Sequence, residues 1–168
     1  MIFVTGIHGV GKTFFSQKLA TKLGVKSYTA SKLISDESSK VTKKVYDVDT
    51  NQKILIRALK EIKASQYILD GHVCLIDEEE NVKEIAEEIF EQMPVDIIIC
   101  IRENETVIQE RLMKRGIFYT VDFLKDFQKR EIEYTKKIAQ NLNIPFLIKE
   151  KSDIDENFVR KIRDMIAI

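Results

Sequence analysis

The sequence predicts an α/β domain in which helices cover both faces of a parallel sheet. Short apolar segments with the composition of strands alternate along the 168 residues with longer segments of helical periodicity. Residues 95–101 form a nearly unbroken apolar run, which is typical of a strand buried on both faces of a parallel sheet. The six glycines and two prolines fall between these segments. A chain of this length can bury one core without disulfides, so we expect a single domain, 1–168.

The first strand leads into a glycine-rich loop. Residues 2–4 are apolar and lead through Thr5 into the next eight, Gly6-Ile7-His8-Gly9-Val10-Gly11-Lys12-Thr13, which have the spacing of a phosphate-binding loop that opens a helix. Glycines let backbone N–H groups converge on a triphosphate, Lys12 adds a positive charge, and the Thr13 hydroxyl suits Mg²⁺. We expect Lys12 to be exposed in this cradle. The predicted ATP-binding residues are Gly6, His8, Gly9, Val10, Gly11, Lys12, Thr13 and Phe14.

The segments after the loop continue the alternation of helix and strand. Apolar residues recur at helical spacing from 14 to 23 and stop at Gly24, and residues 25–28 form a short strand. Residues 30–50 are polar and lysine-rich, and their weak periodicity predicts one or two surface helices. A clear amphipathic helix follows at 51–65, and the next strand, 66–70, ends on Asp70.

The second half is predicted to add two strands and four helices. Asn81, three residues before Glu84, resembles a capping box and predicts a helix to about Met93. After the strand at 95–101, Asn104 can cap a helix that ends near Arg115. A connector at 117–121 then leads to the remaining elements, which are a charged helix at 122–141, a strand at 145–148 and a helix at 153–166. This order implies βαβ crossovers.

The composition excludes some functions. Lysine plus arginine and aspartate plus glutamate number 27 each and are interspersed, so there is no gross basic surface for duplex nucleic acid. Cys74 and Cys100 lie in apolar segments without the spacing of a zinc or redox motif, and we expect buried free thiols. The first strand begins at residue 2, and no apolar run approaches the length of about 18 residues that a membrane span needs. We therefore expect no membrane segment and a cytoplasmic protein.

Three features together resemble a known family. The phosphate-binding loop, Asp70-Gly71 at the end of a strand, and Arg111-Leu112-x-x-Arg115 before a connector resemble the adenylate kinase group of nucleoside monophosphate kinases. The resemblance implies ATP and Mg²⁺, and a five-stranded parallel sheet in the order 2-3-1-4-5. It also implies an acceptor-binding region at 30–65 and a short lid at about 116–121.

The resemblance also implies roles for individual residues. Arg111 would lie on the adenine and Arg115 on the phosphates of ATP, while Arg130, four residues before Tyr134, would reach the transferred phosphate. Asp70 would hold Mg²⁺ through water. Because phosphoryl transfer spreads negative charge over the phosphate oxygens, positive side chains supply most of the catalysis. The catalytic set implied in this way is Lys12, Asp70, His72, Arg115 and Arg130.

Two details depart from adenylate kinases. Asp70-Gly71-His72 is similar to the Asp-x-His of CINAP-type proteins, which combine adenylate kinase and ATPase activities; His72 either orients water or is a strand-end histidine with a structural role. The positions at which adenylate kinases hold the acceptor phosphate with arginines correspond to Ile34 and Cys74, neither of which can bind phosphate. The candidate substitutes are Lys32, Lys40, Lys43, Lys44 and Arg57.

Three functions therefore remain open, and they share the ATP site. The favoured one is transfer of the γ-phosphoryl group to a nucleoside monophosphate or related nucleotide. The second is a kinase for a hydroxyl acceptor, such as a nucleoside, a small metabolite or a polynucleotide 5′ end, with Asp36 as a candidate base. The third is an ATPase switch that acts with a protein partner and uses His72 to orient water.

Overall fold

The computed structural model describes residues 1–41, 48–150 and 154–166. In chain order its elements are β1 (Ile2–Thr5), α1 (Lys12–Leu23), β2 (Lys26–Thr29), α2 (Ala30–Val41), α3 (Val48–Lys60), β3 (Tyr67–Asp70), β4 (Cys74–Ile76), β5 (Val82–Glu84), α4 (Glu87–Glu91), β6 (Ile97–Arg102), α5 (Glu105–Met113), α6 (Val121–Asn141), β7 (Phe146–Glu150) and α7 (Glu156–Ile166). The predicted alternation of strands and helices is confirmed.

A parallel sheet of five strands forms the centre of the fold, in the order β2-β3-β1-β6-β7. Counted among these five strands alone, the order is the predicted 2-3-1-4-5. The middle strand pairs on both sides, since Ile2 lies opposite Ile68 of β3 and Ile97 of β6. Because all the pairs are parallel, the carboxyl ends of the strands meet at one edge of the sheet. Thr5 and Asp70 therefore lie close together.

Burial explains why the central strands are apolar. All residues of β1 and β3 are buried, as are those of β6 except Arg102, whereas the edge strands β2 and β7 are partly exposed. Helices flank the sheet: α1 packs against β1, β2 and β3, while α6 packs against β6 and α5. A parallel sheet needs this cover because both of its faces are apolar. The predicted fold class is confirmed.

Local capping fixes the ends of the helices that border the loops. Gly24 ends α1 with a φ of 73°, in the left-handed region that glycine tolerates. Asn104 begins α5 by accepting the Thr106 N–H at 2.9 Å, as predicted. Thr120 begins α6 by accepting the Phe123 N–H at 3.1 Å. Thr120 thus fixes the end of the connector that leads from α5 into α6.

The predicted helix from Asn81 to Met93 is wrong in its first part. Val82–Glu84 is instead strand β5, which pairs with β4 as an antiparallel hairpin outside the main sheet. The Asp77 carboxylate accepts the N–H groups of Glu79 and Asn81 and so stabilises the turn. The helix that follows, α4, spans only Glu87–Glu91.

The two cysteines lie in the interior. Both are buried and free, as predicted. Burial raises the pKa of each thiol, so both are protonated near neutral pH and poorly reactive. Among the described residues, none of the helices combines the length and apolarity needed to cross a bilayer.

Candidate functional site

A cavity of about 660 Å³ lies at the carboxyl edge of the sheet. The loop after β1, the residues after β2 and β3, and the end of α5 enclose it. Its lining residues are His8, Gly9, Gly11, Lys12, Thr13, Phe14, Thr29, Ala30, Ser31, Asp70, Gly71, His72, Leu75, Arg111 and Arg115. The fold thus brings most of the predicted site residues to one place.

Close packing explains two of the loop glycines. Gly6 has a φ of 145°, and a Cβ there would come within 2.8 Å of the Ile101 carbonyl oxygen. Gly9 has a φ of 82°, and its Cβ would lie 2.9 Å from Leu112 Cγ. Any side chain at either position would be strained and would collide with β6 or α5. The loop is therefore seated directly on the elements behind it.

Lys12 is buried, and the expectation that it is exposed is wrong. Its side chain is 7% exposed, because its flexible stem brings the ammonium group to three acceptors. The ammonium donates to the carbonyl oxygens of Gly6 at 2.7 Å and Ile7 at 3.1 Å, and lies 3.0 Å from His72 Nε2. Burial lowers the pKa of Lys12, although Asp70 and Glu131 act in the opposite direction.

Thr13 and Asp70 meet at the floor of the cavity. The Thr13 hydroxyl donates to Asp70 Oδ2 at 2.5 Å, and the carboxyl group of Asp70 is 3% exposed. Burial raises the pKa of Asp70, while the hydrogen bond from Thr13 and the charge of Lys12 lower it. Hydroxyl and carboxylate oxygens are ligands that Mg²⁺ prefers, so this pair fits the metal.

Two imidazoles stand together beside the ammonium group. The ring centroids of His8 and His72 are 4.2 Å apart. Burial lowers the pKa of His72 well below 6.5, with further contributions from Lys12 and His8. Burial, Lys12 and Arg115 lower the pKa of His8 to about 4. Both rings are therefore neutral at pH 7, and His72 Nε2 can accept a hydrogen bond from Lys12.

The three predicted arginines lie in different surroundings. Arg111 Nη1 donates to the carbonyl oxygens of Gly9 and Val10, both at 3.2 Å, and Nη2 lies 3.3 Å from Glu103. Arg115 is exposed and lines the cavity. Arg130 lies outside the cavity, and its Nε pairs with Glu84 of β5 at 3.1 Å. The predicted contact of Arg130 with the transferred phosphate stays a prediction.

Sequence reasoning missed Glu131, which is fully buried on α6. Its carboxylate accepts hydrogen bonds from Thr5 at the end of β1 and Gly6 of the phosphate-binding loop, and from Val73 after β3 and Cys74 at the start of β4. Burial raises its pKa, and these hydrogen bonds and Lys12 oppose the rise. The charge of α6 made the helix look solvated. Periodicity was the available signal, because Glu131 falls among Leu124, Phe127, Tyr134 and Ile138 on the buried face.

A second cavity, of about 190 Å³, adjoins the first. It is mainly apolar, and both cavities share Ala30, Ser31, Gly71, His72 and Leu75. Ile34 lines the second cavity, as does Gln52, whose side chain is 7% exposed and has no hydrogen-bond partner among the described residues. The following predicted residues line neither cavity: Lys32, Asp36, Arg57 and Cys74. Lys43, Lys44 and the side chain of Lys40 lie outside the described residues.

Comparison with solved structures relates the fold to kinases. A sugar kinase from Janibacter sp. HTCC2649 superposes with a TM-score of 0.56 at 17% identity, covering 99% of this chain and 94% of that one. A gluconokinase from Sinorhizobium meliloti 1021 superposes with a TM-score of 0.54 at 16% identity, covering 99% and 90%. A shikimate kinase from Bacteroides thetaiotaomicron also gives 0.54, at 15% identity and covering 99% and 98%. At these identities the similarity concerns the fold alone.

Comparison of sequences identifies relatives and a family. The protein named "Putative adenylate kinase" in Pyrococcus furiosus is 30% identical over 117 residues, which cover 69% of this chain and 56% of that protein. The protein of the same name in Methanocaldococcus jannaschii is 31% identical over 121 residues, covering 68% and 58%. The match thus spans little more than half the length of these relatives. Residues 5–118, which include the phosphate-binding loop and both arginines of α5 and its connector, match the family described as an AAA domain, and the chain belongs to that family.

Proposed function

We propose that this chain transfers the γ-phosphoryl group of ATP, with Mg²⁺, to a nucleoside monophosphate or a related nucleotide. The observation that carries the proposal is the convergence of Lys12, Asp70, His72 and Arg115 on one cavity that opens into a second, apolar one. The relatives named as adenylate kinases support it. In this proposal residues 30–65 bind the acceptor, and residues from about 116 to 121 form a short lid.

Positive side chains at fixed positions would supply most of the catalysis. Charge develops on the phosphate oxygens during transfer, and fixed cations in a site shielded from water stabilise it. Lys12 exchanges its carbonyl acceptors at Gly6 and Ile7 for phosphate oxygens. Arg111 is held against the loop by two carbonyl groups and so lies beside the nucleotide, while Arg115 is placed to reach the phosphates.

Thr13 and Asp70 would hold Mg²⁺ together with phosphate oxygens. Their 2.5 Å hydrogen bond brings hydroxyl and carboxylate oxygens to the same point of the cavity. When bound, Mg²⁺ would neutralise charge on the β- and γ-phosphates. The charge of Lys12 helps to keep Asp70 ionised in spite of its burial.

The second cavity fits the body of an acceptor better than its phosphate. Apolar side chains, among them Phe3, Leu55 and Phe90, form most of its wall. Gln52 lines this space, and its amide can both donate a hydrogen bond to a ligand and accept one from it. A nucleobase has such an edge and apolar ring faces. Phosphate recognition would fall to Arg115 and Lys12.

One observation favours an ATPase that acts with a partner as the second candidate. No arginine or lysine lines the second cavity among the described residues, so an acceptor phosphate would be held weakly there. The neutral His72, 3.0 Å from Lys12, could instead orient a water molecule toward the γ-phosphate. A kinase for hydroxyl acceptors is less well supported, because Asp36 is exposed and outside both cavities.

Incubation with labelled ATP and Mg²⁺ tests these functions. The protein is given no acceptor, or a panel of nucleoside mono- and diphosphates, nucleosides and oligonucleotides. We expect labelled nucleoside diphosphate from at least one monophosphate. Lys12→Ala should lower the rate by on the order of 100-fold or more, because it removes charge from the transition state. Lys18→Ala, on the same helix outside the cavity, is the control. Label released only as phosphate would favour the ATPase. Activity retained in Lys12→Ala would contradict both the kinase and the ATPase functions.

Variants of Gln52 test the acceptor site within the same assay. Gln52→Leu should raise the KM for the nucleoside monophosphate by about 10-fold, the effect of losing a hydrogen bond in a buried site, and leave the KM for ATP unchanged. Arg57→Ala, on the exposed side of the same helix, should change neither constant. Equal effects on both substrates would place Gln52 outside the acceptor site.

A further inference from the structure

We propose that Glu131 is a positioning residue for phosphoryl transfer, which holds the phosphate-binding loop and the loop after β3 in one relative arrangement. The inference rests on the proposed function. Glu131 Oε1 accepts from the Thr5 hydroxyl and from the N–H groups of Gly6 at 3.1 Å and Val73 at 3.2 Å. Oε2 accepts from the Cys74 N–H at 2.8 Å. One side chain thus bridges two loops that are more than 60 residues apart in the sequence.

The environment of Glu131 indicates that its role is geometric. A carboxylate with no solvent exposure is costly unless strong donors satisfy it, and here four donors do so without a cation in direct contact. Most of the other buried residues of α6, Phe127 and Ile138 among them, are apolar, and the polar ones are Gln128 and Thr135. A further apolar residue could pack there but could not fix two backbone segments at once.

The two bridged segments carry the groups that face the phosphates. Gly6 opens the loop that ends in Lys12, and Val73 directly follows His72. On the cavity side the same two segments meet at the 3.0 Å contact between Lys12 and His72. Glu131 ties them from the opposite side. Glu131 lies on α6, the helix that follows the connector with Arg115.

Loss of this bridge should affect turnover more than binding. A displacement of about 1 Å in a reacting group can lower a rate by on the order of 100-fold. Glu131→Gln preserves the shape of the side chain, but three of the four neighbours are backbone N–H donors and only the Thr5 hydroxyl can also accept, so the NH₂ group must face at least one backbone N–H. We expect kcat to fall by 10-fold to 100-fold, with a change in the KM for ATP of less than about 3-fold.

Kinetics of matched variants test the proposal. Glu133→Gln, two residues further along α6, removes an exposed carboxylate whose Oε1 lies 4.0 Å from Lys129, and should leave kcat unchanged. Glu131→Asp retains the charge and should recover part of the kcat lost in Glu131→Gln. A Glu131→Gln protein with wild-type kcat would overturn the proposal, and so would an equal loss in Glu131→Asp and Glu131→Gln accompanied by a similar rise in the KM for ATP.

Amide hydrogen exchange gives a test that needs no turnover. Thr5→Val removes one donor on the first loop and leaves the second loop untouched in sequence. If Glu131 couples the loops, exchange at Val73 and Cys74 should accelerate by about 3-fold to 10-fold in Thr5→Val, and more in Glu131→Gln. Unchanged exchange at both residues would overturn the coupling. A wild-type protein without activity would contradict the proposed function alone, because the exchange experiment would still decide the role of Glu131.

Discussion

The residues around Lys12 form a cluster in which carboxylates that do not contact the ammonium group stabilise its positive charge. The ammonium group contacts neutral acceptors, and the carboxylates of Asp70 and Glu131 support its charge without touching it. His8 and His72 complete the cluster as uncharged rings. Such an arrangement is sensitive to protonation, because any added positive charge would repel Lys12.

The histidines should make folding stability depend on pH. An unfolded histidine binds a proton near pH 6.5, whereas folded His8 does so only near 4 and folded His72 well below 6.5. Between these values the unfolded state binds more protons, so the free energy of unfolding falls as pH decreases from 7 to 5. Chemical denaturation of wild type and of His8→Asn/His72→Asn across this range measures the effect.

The difference in pH dependence between wild type and the double variant measures the contribution of the two histidines. The double variant contains none, since the chain has two. Asp70 and Glu131, whose pKa values burial raises, act in the opposite direction in both proteins and largely cancel in the difference. We expect a smaller loss of stability in the double variant, with the larger share due to His72, the less exposed ring. Parallel pH curves would contradict the assignment of neutral imidazoles at His8 and His72.

Thr13 and Asp70 should control the requirement for Mg²⁺. Thr13→Ala removes the hydroxyl oxygen, and Asp70→Asn removes the negative charge, at the point where the two side chains meet. We expect the Mg²⁺ concentration for half-maximal activity to rise in both variants, and a titration at saturating ATP measures it. Thr21→Ala, at an exposed position of α1 outside both cavities, serves as control; an unchanged titration in both variants would remove the pair from the metal site.

At the scale of elements, the connector between α5 and α6 combines a charged end with an apolar middle. Arg115 follows α5, and Ile117 and Phe118 next to it are exposed, Phe118 to 72%. The connector is capped at both of its ends, by Lys114 of α5 and by Thr120 of α6. In the proposed function this segment is the lid that would close over the bound nucleotide.

Arg115→Ala should therefore lower kcat strongly. Its guanidinium group lines the cavity, and its charge would be used most where negative charge develops. We expect a decrease of on the order of 100-fold in kcat with a smaller change in the KM for ATP, measured by steady-state kinetics. Lys114→Ala, its exposed neighbour, should behave as wild type. A wild-type kcat in Arg115→Ala would mean that the arginine lies only on a solvated surface.

The sequence could predict the elements whose signals are local. The glycine spacing after β1, the buried run of β6 and the Asn104 cap each depend on residues within one segment, and each agrees with the structure. The hairpin of β4 and β5 escaped prediction because Asn81 and Glu84 imitate a helix cap. The turn at Asp77 and the pairing with Cys74–Ile76 decide the outcome instead.

The site was harder to predict where contacts join distant segments. The convergence of Lys12, Asp70, His72 and Arg115 followed from the resemblance and the parallel sheet. The buried ammonium of Lys12 and the bridge made by Glu131 depend on partners far away in the chain, and side-chain length alone does not specify them. The acceptor side likewise depended on which face of α3 turns inward, which selected Gln52 rather than Arg57.

At the scale of the whole molecule, a charged cavity lies beside an apolar one. This arrangement predicts weak binding of the acceptor phosphate and partial loss of the transferred phosphoryl group to water. In the proposed function, Ile34 of the second cavity stands where the resemblance to adenylate kinases implies an arginine, so an acceptor phosphate would lack a two-point contact. A charge-assisted hydrogen bond contributes about 1.5 to 3 kcal/mol, so affinity should fall by roughly 10-fold or more.

We therefore expect a weak KM for nucleoside monophosphates and a measurable release of phosphate to water. Parallel assays of labelled nucleoside diphosphate and free phosphate give the ratio of the two products. Ile34→Arg should restore a cation to the cavity wall, lower the KM for the acceptor and reduce the release of phosphate. Micromolar use of AMP by the wild-type protein with no phosphate released would contradict this expectation.

The central position of β1 also constrains how the chain reaches its fold. Ile2 pairs with Ile68 and Ile97, so the middle of the sheet is complete only when three distant segments have met. Closing such long loops costs chain entropy before any contact offsets it. We therefore expect folding to be slow in comparison with helical proteins of equal size. On the ribosome, the phosphate-binding loop would lack the strand behind Gly6 until Ile101 has emerged. Until its partner strands are available, the apolar β1 leaves surface exposed that is prone to aggregate.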